Sequence, residues 1–442
     1  MKLLPSFLVP LLAISIPACV RIYEPAETAF LNEADLIVNE VKSKNLVVKK
    51  PNREADISAY LAYAVAISPE IAALREAEFS ATSGVSLASS KARPQVSATS
   101  SVGTFSANVN DGDLENGASI NLTASQLVYD GGFVDNGISI AKLQVELTGV
   151  LKENGINRLS AEAASAIVDA SLAAKEFEAI SEFQEEIQPH SAQLKRMAAS
   201  GLIDRSVIDE ITSKLLEINI KEKEAKSNVR ISEVSFAKYF GDLPLPKNAI
   251  NFPPTLSSDI VGDLSVDNIP AVRESALRTL LAEKDIAVAR SAFMPKINAQ
   301  IGSSSPMDPD ENISAQAGVL ISYQFSDGGA REANLSSAKN NFEQAKRSLE
   351  FTLENSMAIV EALQERVASL KEIIVLAEKK LPILTDQLRV AETQIQTGQA
   401  DISKVFDLKL SISELKSRIR RAQADLVRTQ FELAAALGIL SN

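Results

Sequence analysis

The sequence repeats itself once over most of its length, and this duplication constrains the fold more than any other feature. Surface loops tolerate insertions, whereas long paired helices that must end at the same height do not. The constant spacing therefore predicts two copies of one long helical unit. The matching positions, each 197 residues apart, are Asp130-Gly131-Gly132 and Asp327-Gly328-Gly329, Gly201 and Gly398, and Gly241 and Gly438.

Residues 133–199 and 330–396 are predicted to form two long helices. In the second, apolar residues recur at alternating steps of four and three from Leu349 to Ile395, which is typical of a helix packed along its length. The first carries the same pattern in an alanine-rich form. Each helix would be about 100 Å long. Shorter return helices ending at Gly241 and Gly438 would complete two helical hairpins.

Upstream of each Asp-Gly-Gly motif the apolar period changes to two, which predicts β-strands. The predicted strands are about Gln95–Phe105, Ser119–Tyr129, Lys296–Ser303 and Asn312–Phe325. Each would have one apolar and one polar face. Four strands cannot close a barrel in lipid, because the smallest spanning barrels have about eight. We therefore expect an α+β fold in which three chains supply a twelve-stranded transmembrane β-barrel, continued by a long periplasmic α-helical barrel.

Residues Met1–Ala18 resemble an export signal, with Lys2 before a mostly apolar run. Cys19, the only cysteine of the chain, follows directly and resembles the acylated cysteine of a bacterial lipobox. The alternative is ordinary cleavage after Ala18, which leaves Cys19 unmodified. The expected domains are a signal peptide (1–18), a lipid-anchored segment (19–54), the first repeat (55–241), a linker (242–268) and the second repeat (269–442).

Composition excludes several functions. The chain has one Cys and one His, too few for a structural zinc site or an internal disulfide. Its formal charge of −12 opposes the binding of nucleic acid, which needs a basic surface. Triad catalysis would have to use His190, which lies in a helical pattern without a nucleophile motif nearby. We expect no enzyme activity, no catalytic residue, no metal and no cofactor.

Four kinds of motif together resemble the TolC-like outer-membrane efflux protein family. They are Ser68-Pro69-Glu70-Ile71, the prolines that open strands (Pro94 and Pro295), the two Asp-Gly-Gly turns, and the glycines Gly201 and Gly398 at the hairpin tips. The resemblance covers about Ala55–Leu440. It implies a homotrimer in the bacterial outer membrane, extending into the periplasm. Such a trimer is the exit duct for tripartite drug efflux or type I protein secretion.

The family also implies partners and site residues. A periplasmic adaptor protein would dock on the tips, and an inner-membrane pump of RND or ABC type would supply the energy. The residues that correspond to the docking tips are Gly201, Leu202, Ile203, Gly398, Gln399 and Ala400.

Family members close the periplasmic end with acidic residues six and nine positions past the second tip glycine. Asp407 matches the ninth position, whereas Lys404 at the sixth does not, and Glu210 is the ninth residue past Gly201. A ring of Asp407 carboxylates would attract cations, and Lys404 would offset that field or pair with Asp407. The alternative is that both residues are an exposed pair on a helix.

Two other classes of protein stay open at this point. One is a periplasmic adaptor or structural coiled-coil lipoprotein of the envelope, which would have one hairpin between lipoyl-like halves. The other is an envelope enzyme, which would need a cluster of polar residues that the sequence does not show. The sequence does not distinguish drug efflux from protein secretion, and it does not identify the substrate.

Overall fold

The computed structural model describes residues 36–38, 48–106, 114–199, 205–247, 269–306, 314–396 and 402–441. The chain divides into two units, Met1–Val48 and Lys49–Asn442. In the first, residues 36–38 are helical and exposed. The elements below belong to the second unit.

The second unit contains two series of elements in the same order. The first series is α1 (Ile57–Ile67), α2 (Pro69–Ser90), β1 (Gln95–Ser106), β2 (Leu114–Tyr129), α3 (Phe133–Ala199) and α4 (Arg205–Phe240). The second is α5 (Pro270–Ser291), β3 (Lys296–Pro306), β4 (Ser314–Ser322), α6 (Ala330–Gln396), α7 (Ile402–Ala436) and a 3-10 turn (Ile439–Ser441). The helices α3 and α6 each have 67 residues, and their bounds are those predicted from the sequence.

Helix α2 begins with a capped first turn. The Ser68 hydroxyl accepts a hydrogen bond from the Ile71 N–H at 3.4 Å, and Pro69 takes the first helical position, where an N–H is not needed. Glu70 in the first turn complements the helix dipole and also binds Arg158 of α3. The cap therefore fixes both the start of α2 and its contact with α3.

The four strands form one antiparallel sheet in the order β1-β2-β3-β4. Gln95 lies opposite Ser125 in the first hairpin, and Lys296 lies opposite Ser322 in the second. These are equivalent positions, because the strands that follow the prolines are 201 residues apart and those that precede Asp-Gly-Gly are 197 apart. The two hairpins therefore have the same register although their loops differ in length.

Strand β4 ends earlier than predicted. The alternation of apolar residues continues to Phe325, but pairing stops at Ser322, which lies opposite Lys296, the first residue of β3. Pro295 precedes Lys296 and has no N–H to donate. Strand β2 continues further because, past a bulge, its Tyr129 pairs with Ile297.

The two long helices differ in their surroundings. Helix α3 packs against α2, α4, α5 and α7, whereas α6 packs mainly against α5 and α7. The alanine-rich pattern belongs to α3, and Ala163 and Ala170 are buried there, because small side chains let neighbouring helices approach closely. On α6 the larger Phe351, Leu376 and Ile383 are exposed. One long helix is therefore enclosed, and the other presents an apolar surface.

The start of the described second unit is tied to the segment that follows α4. Tyr60 is fully buried against Phe240, and its hydroxyl donates to the Pro244 carbonyl at 2.7 Å. Burial raises the pKa of Tyr60, so it stays a neutral donor. The Lys247 N–H donates to the Arg53 carbonyl at 3.1 Å. These contacts hold the beginning and the end of the first repeat together.

Candidate functional site

The sheet has one apolar and one polar face, as the alternation predicts. The register places on one face Val96, Val102, Ile120, Leu122, Ile301, Val319 and Ile321. The other carries Ser97, Thr99, Ser101, Ser119, Asn121, Thr123, Gln300 and Gln316. Val102 and Val319 are 83% and 64% exposed, so the apolar face is uncovered in the single chain. One face suits contact with lipid and the other contact with water.

Both edges of the sheet are open in the described part of the chain. Strands β1 and β4 each pair with one neighbour, and every residue of β4 is exposed. An unpaired edge exposes backbone N–H and C=O groups, each of which costs several kcal/mol in lipid. An apolar sheet with open edges therefore requires additional strands.

The two Asp-Gly-Gly turns connect the sheet to the long helices with the same geometry. Asp130 accepts hydrogen bonds from the Gly132 N–H at 3.0 Å and the Val134 N–H at 2.9 Å. Asp327 accepts them from the Gly329 N–H at 3.1 Å and the Arg331 N–H at 3.0 Å. The four glycines have φ between 68° and 88°, a region that other residues rarely adopt. Each turn thus fixes how a strand enters its helix.

Two of the three residues expected to close the periplasmic end share a lysine. Lys214 Nζ lies 2.5 Å from Asp407 Oδ1 and 2.7 Å from Glu210 Oε1. Hydrogen bonds to Asp407 and then to Glu210 raise the pKa of Lys214. Sequence reasoning missed Lys214, although its position four residues after Glu210 on a helix was a signal. The third residue, Lys404, is exposed, and the ion partner of Asp407 comes from the other repeat.

A second lysine connects three helices nearby. Lys409 of α7 lies 2.5 Å from Glu186 of α3 and 3.4 Å from Glu392 of α6, with its side chain only 11% exposed. Burial works against its charge, but the hydrogen bond to Glu186 and the two carboxylate charges raise the pKa of Lys409. One turn away along α3 and α7, Phe183 and Phe406 share one buried cluster with Ile211. Charged and apolar contacts therefore hold both repeats together at this end.

Further along the bundle, α3 and α7 meet through a buried carboxylate. Glu176 is 7% exposed and accepts hydrogen bonds from Ser417 Oγ at 2.6 Å and Arg420 Nε at 2.8 Å. A buried charge is tolerated where it is paired in this way. The contact fixes the sliding position of α7 along α3.

Several predicted residues lie outside the described residues. They are Cys19 and the tip residues Gly201, Leu202, Ile203, Gly398, Gln399 and Ala400. Within the described ranges, no group of three or more His, Cys, Asp or Glu residues could hold a metal ion. Also within those ranges, no single helix is long and apolar enough to cross a membrane. Among the helices that the structure describes, only the pair α1 and α2, bent by 58°, reaches that length and composition together.

Comparisons with known proteins agree with this architecture. Residues 262–439 match the model of a family described as outer membrane efflux protein. The outer membrane efflux protein BepC of Brucella suis is 22% identical over 191 residues, and that alignment spans 42% of this chain and 42% of BepC. The chain therefore matches less than half the length of this curated relative.

Solved structures match over more of the chain. A structure of CusC, studied for its folding and transmembrane channel formation, has a TM-score of 0.76 at 16% identity and covers 88% of this chain and 95% of CusC. The outer membrane protein VceC of Vibrio cholerae has a TM-score of 0.75 at 13% identity, covering 86% and 96%. These comparisons confirm the α+β fold class, the resemblance to TolC-like outer-membrane efflux proteins and the outer-membrane location.

Proposed function

We propose that three copies of this chain form an outer-membrane exit duct that passively conducts substrate out of the cell. The observation that carries the proposal is the sheet, which has an apolar face, a polar face and two open edges. Three such sheets would supply twelve strands, with the apolar faces toward lipid and the polar faces toward a lumen. The helices joined through the Asp-Gly-Gly turns would extend the lumen by about 100 Å into the periplasm.

The partners follow from the resemblance. An adaptor protein of the periplasm would dock on the tips (Gly201 to Ile203 and Gly398 to Ala400), and an inner-membrane pump of RND or ABC type would drive transport. Both drug efflux and type I protein secretion use such an assembly. The duct itself needs no catalytic residue, metal or cofactor, because the pump supplies the energy.

Cys19 is the proposed site of lipid attachment. Acyl chains on Cys19 would hold the segment that follows at the inner leaflet of the outer membrane. Since the barrel already spans the membrane, the lipid would serve maturation and targeting more than conduction.

The ion pairs around Lys214 are the proposed periplasmic constriction. Glu210 and Asp407 come from different repeats and meet at one lysine, so moving one hairpin relative to the other would break a charge contact. Three copies would place these groups in a ring, where excess carboxylate charge attracts cations. Lys404, which is exposed three residues before Asp407, would weaken that field.

Reconstitution in planar bilayers tests the duct directly. Purified protein should migrate on gels as a heat-modifiable trimer. In planar bilayers it should produce stepwise increases in conductance, whichever side of the bilayer it is added to. The competing reading, a periplasmic adaptor or coiled-coil lipoprotein, predicts a protein that is released from outer-membrane fractions once its lipid is removed and that forms no channels. Co-purification of a pump and its type would then decide between efflux and secretion.

A further inference from the structure

The duplication predicts how one copy of the chain meets the next. Inside one chain the first repeat contacts the second through β2 with β3, α3 with α5, and α3 with α7. In the second repeat, β4 and α6 are the equivalents of β2 and α3. In the first repeat, β1, α2 and α4 are the equivalents of β3, α5 and α7. These surfaces carry exposed apolar side chains, among them Val319, Ile383 and Val102. A second copy could therefore occupy them by repeating the internal contact.

The sheet supplies the register of that contact. Inside the chain, Leu122 of β2 lies opposite Ser303 of β3, and Ser125 lies opposite Gln300. The residue 197 positions after Leu122 is Val319, and the residue 201 positions before Ser303 is Val102, so the repeated contact would place Val319 opposite Val102. The same two offsets convert the pair of Ser125 and Gln300 into Ser322 opposite Thr99. Both new pairs join residues of the same face, which a shift by one residue would not do. The shared register of the two hairpins supports this transfer, because it obeys the same two offsets.

The Asp-Gly-Gly turns supply a second position of contact. Met294 lies against the first turn, so close that a Cβ added to Gly131 would be 2.5 Å from its Cβ. At Gly328 in the second turn, nothing in the described part of the chain lies within 4 Å of the same point. The residue equivalent to Met294 is Arg93, which is exposed three residues after the end of α2.

The charge of the second turn suits that arginine. Asp327 and Glu332 carry two negative charges there, and Arg331 carries one positive charge. The first turn carries Asp130 and Asp135 at the equivalent positions and Val134 in place of Arg331, so it keeps two negative charges beside an uncharged methionine. A guanidinium from a second copy would therefore bring the second turn to neutrality.

The long helices supply a third position. Glu176 contacts Ser417 inside the chain, and the residues 197 positions away from these are Ile373 of α6 and Ile220 of α4. The repeated contact would therefore bring Ile220 of one copy against Ile373 of the other. Ile220 is 58% exposed in the single chain, an unfavourable state for a large apolar side chain that a partner helix would relieve.

We propose that a second copy of this chain pairs its β1 with β4 of the first copy, so that Val102 lies opposite Val319 and Thr99 opposite Ser322. Arg93 of the second copy then contacts the Asp327–Gly329 turn of the first. The same contact brings Ile220 of the second copy against Ile373 of the first. The inference rests on the proposed trimeric duct and specifies its interface. Repeating the contact around a ring closes the sheet without a free edge.

Cysteine cross-linking tests the register. The variant Val102→Cys/Val319→Cys places one thiol on each edge, and Ala98→Cys/Val319→Cys is the matched control, displaced by four residues or about 13 Å on the same face. Both keep Cys19, so the parent chain gives the background. Mild oxidation in outer membranes should convert most of the first variant to reducible dimers and trimers, at least about tenfold more than the control, because disulfides need Cβ atoms about 4 Å apart.

The outcomes separate the interface from the function. Stronger cross-linking in the control, or equal cross-linking in both variants, overturns the register while channel activity stands. A protein that is monomeric by native mass spectrometry of detergent extracts, and silent in bilayers, overturns the proposed duct itself.

Discussion

Lys214 and Asp407 belong to different repeats, yet Lys214 Nζ lies 2.5 Å from Asp407 Oδ1. Glu210, one turn away, binds the same ammonium group at 2.7 Å. Two carboxylates therefore share one lysine, and the group keeps one net negative charge. This charge, multiplied by three in a trimer, is the basis of the first two predictions.

Removing the shared lysine should increase cation selectivity. Lys214→Met frees Glu210 and Asp407, so we expect the cation-to-anion permeability ratio to rise roughly twofold, whereas Asp407→Asn should lower it. Lys404→Ala should raise it by less. Reversal potentials under a salt gradient in planar bilayers measure all three. Lys221→Met, a lysine paired with Glu217 and Glu414 further along α4, is the control. Unchanged potentials in Asp407→Asn and Lys214→Met would place the constriction elsewhere.

The same contact should weaken at alkaline pH. The pKa of Lys214 is raised above 10.5 in the folded chain, so the stabilisation is fully present below 10.5 and disappears as pH rises through the folded value. Channel conductance, recorded across that range, should increase as the link between the repeats is lost. Lys214→Arg keeps its charge over the whole range and should show no such increase. Identical curves for both proteins would contradict the prediction.

The hairpin tips should be needed for transport but not for assembly. Leu202→Arg combined with Gln399→Arg adds bulk and charge where the adaptor is proposed to dock, and should abolish transport in cells. Gel-stable trimers should persist, because these residues lie outside the sheet. Gln188→Arg, which adds the same charge to an exposed position of α3, is the control. Normal transport by the double variant would argue against docking at the tips.

Lipid attachment at Cys19 should be visible in the intact mass of the mature protein. Acylation after removal of residues 1–18 adds the mass of a diacylglycerol group, with or without a third acyl chain. Cys19→Ser should reduce the amount of protein in the outer membrane while leaving the conductance of each channel unchanged. A mature chain with an unmodified thiol at residue 19 would refute the lipobox assignment.

A charge exchange tests the arginine at the interface. Arg93→Glu should repel Glu332 of the neighbouring copy and destabilise the trimer by about 0.5–1 kcal/mol for each contact. Trimers should therefore dissociate at a lower temperature. Glu332→Arg added to the same chain should restore much of that loss. Circular dichroism of each variant checks that its helices are intact. Additive losses in the double variant would mean that the two side chains do not meet.

The sequence predicts local structure well because the signals are periodic. The bounds of α3 and α6 and the two faces of the sheet follow from spacing within one segment. The end of β4 does not, because it depends on where its partner begins, at Lys296.

Contacts between the repeats were also beyond local reasoning. Asp407 has a basic residue three positions away, Lys404, but binds Lys214, which is 193 residues distant in the chain. Buried Glu176 likewise accepts hydrogen bonds from Ser417 and Arg420, which no regular spacing in the sequence relates to it. Such pairs are set by how whole helices pack, and sequence periodicity shows only which face of a helix packs.

The pairing of β2 with β3 also sets the order of folding. Each hairpin joins strands that are close in sequence, so it can form as soon as it is made, whereas Ser125 must wait for Gln300, 175 residues later. Until then the newly exported first repeat exposes an apolar hairpin with an unpaired edge, a state prone to aggregation. Chaperones that shield nascent strands in the periplasm should therefore matter most while the second repeat is still crossing the inner membrane.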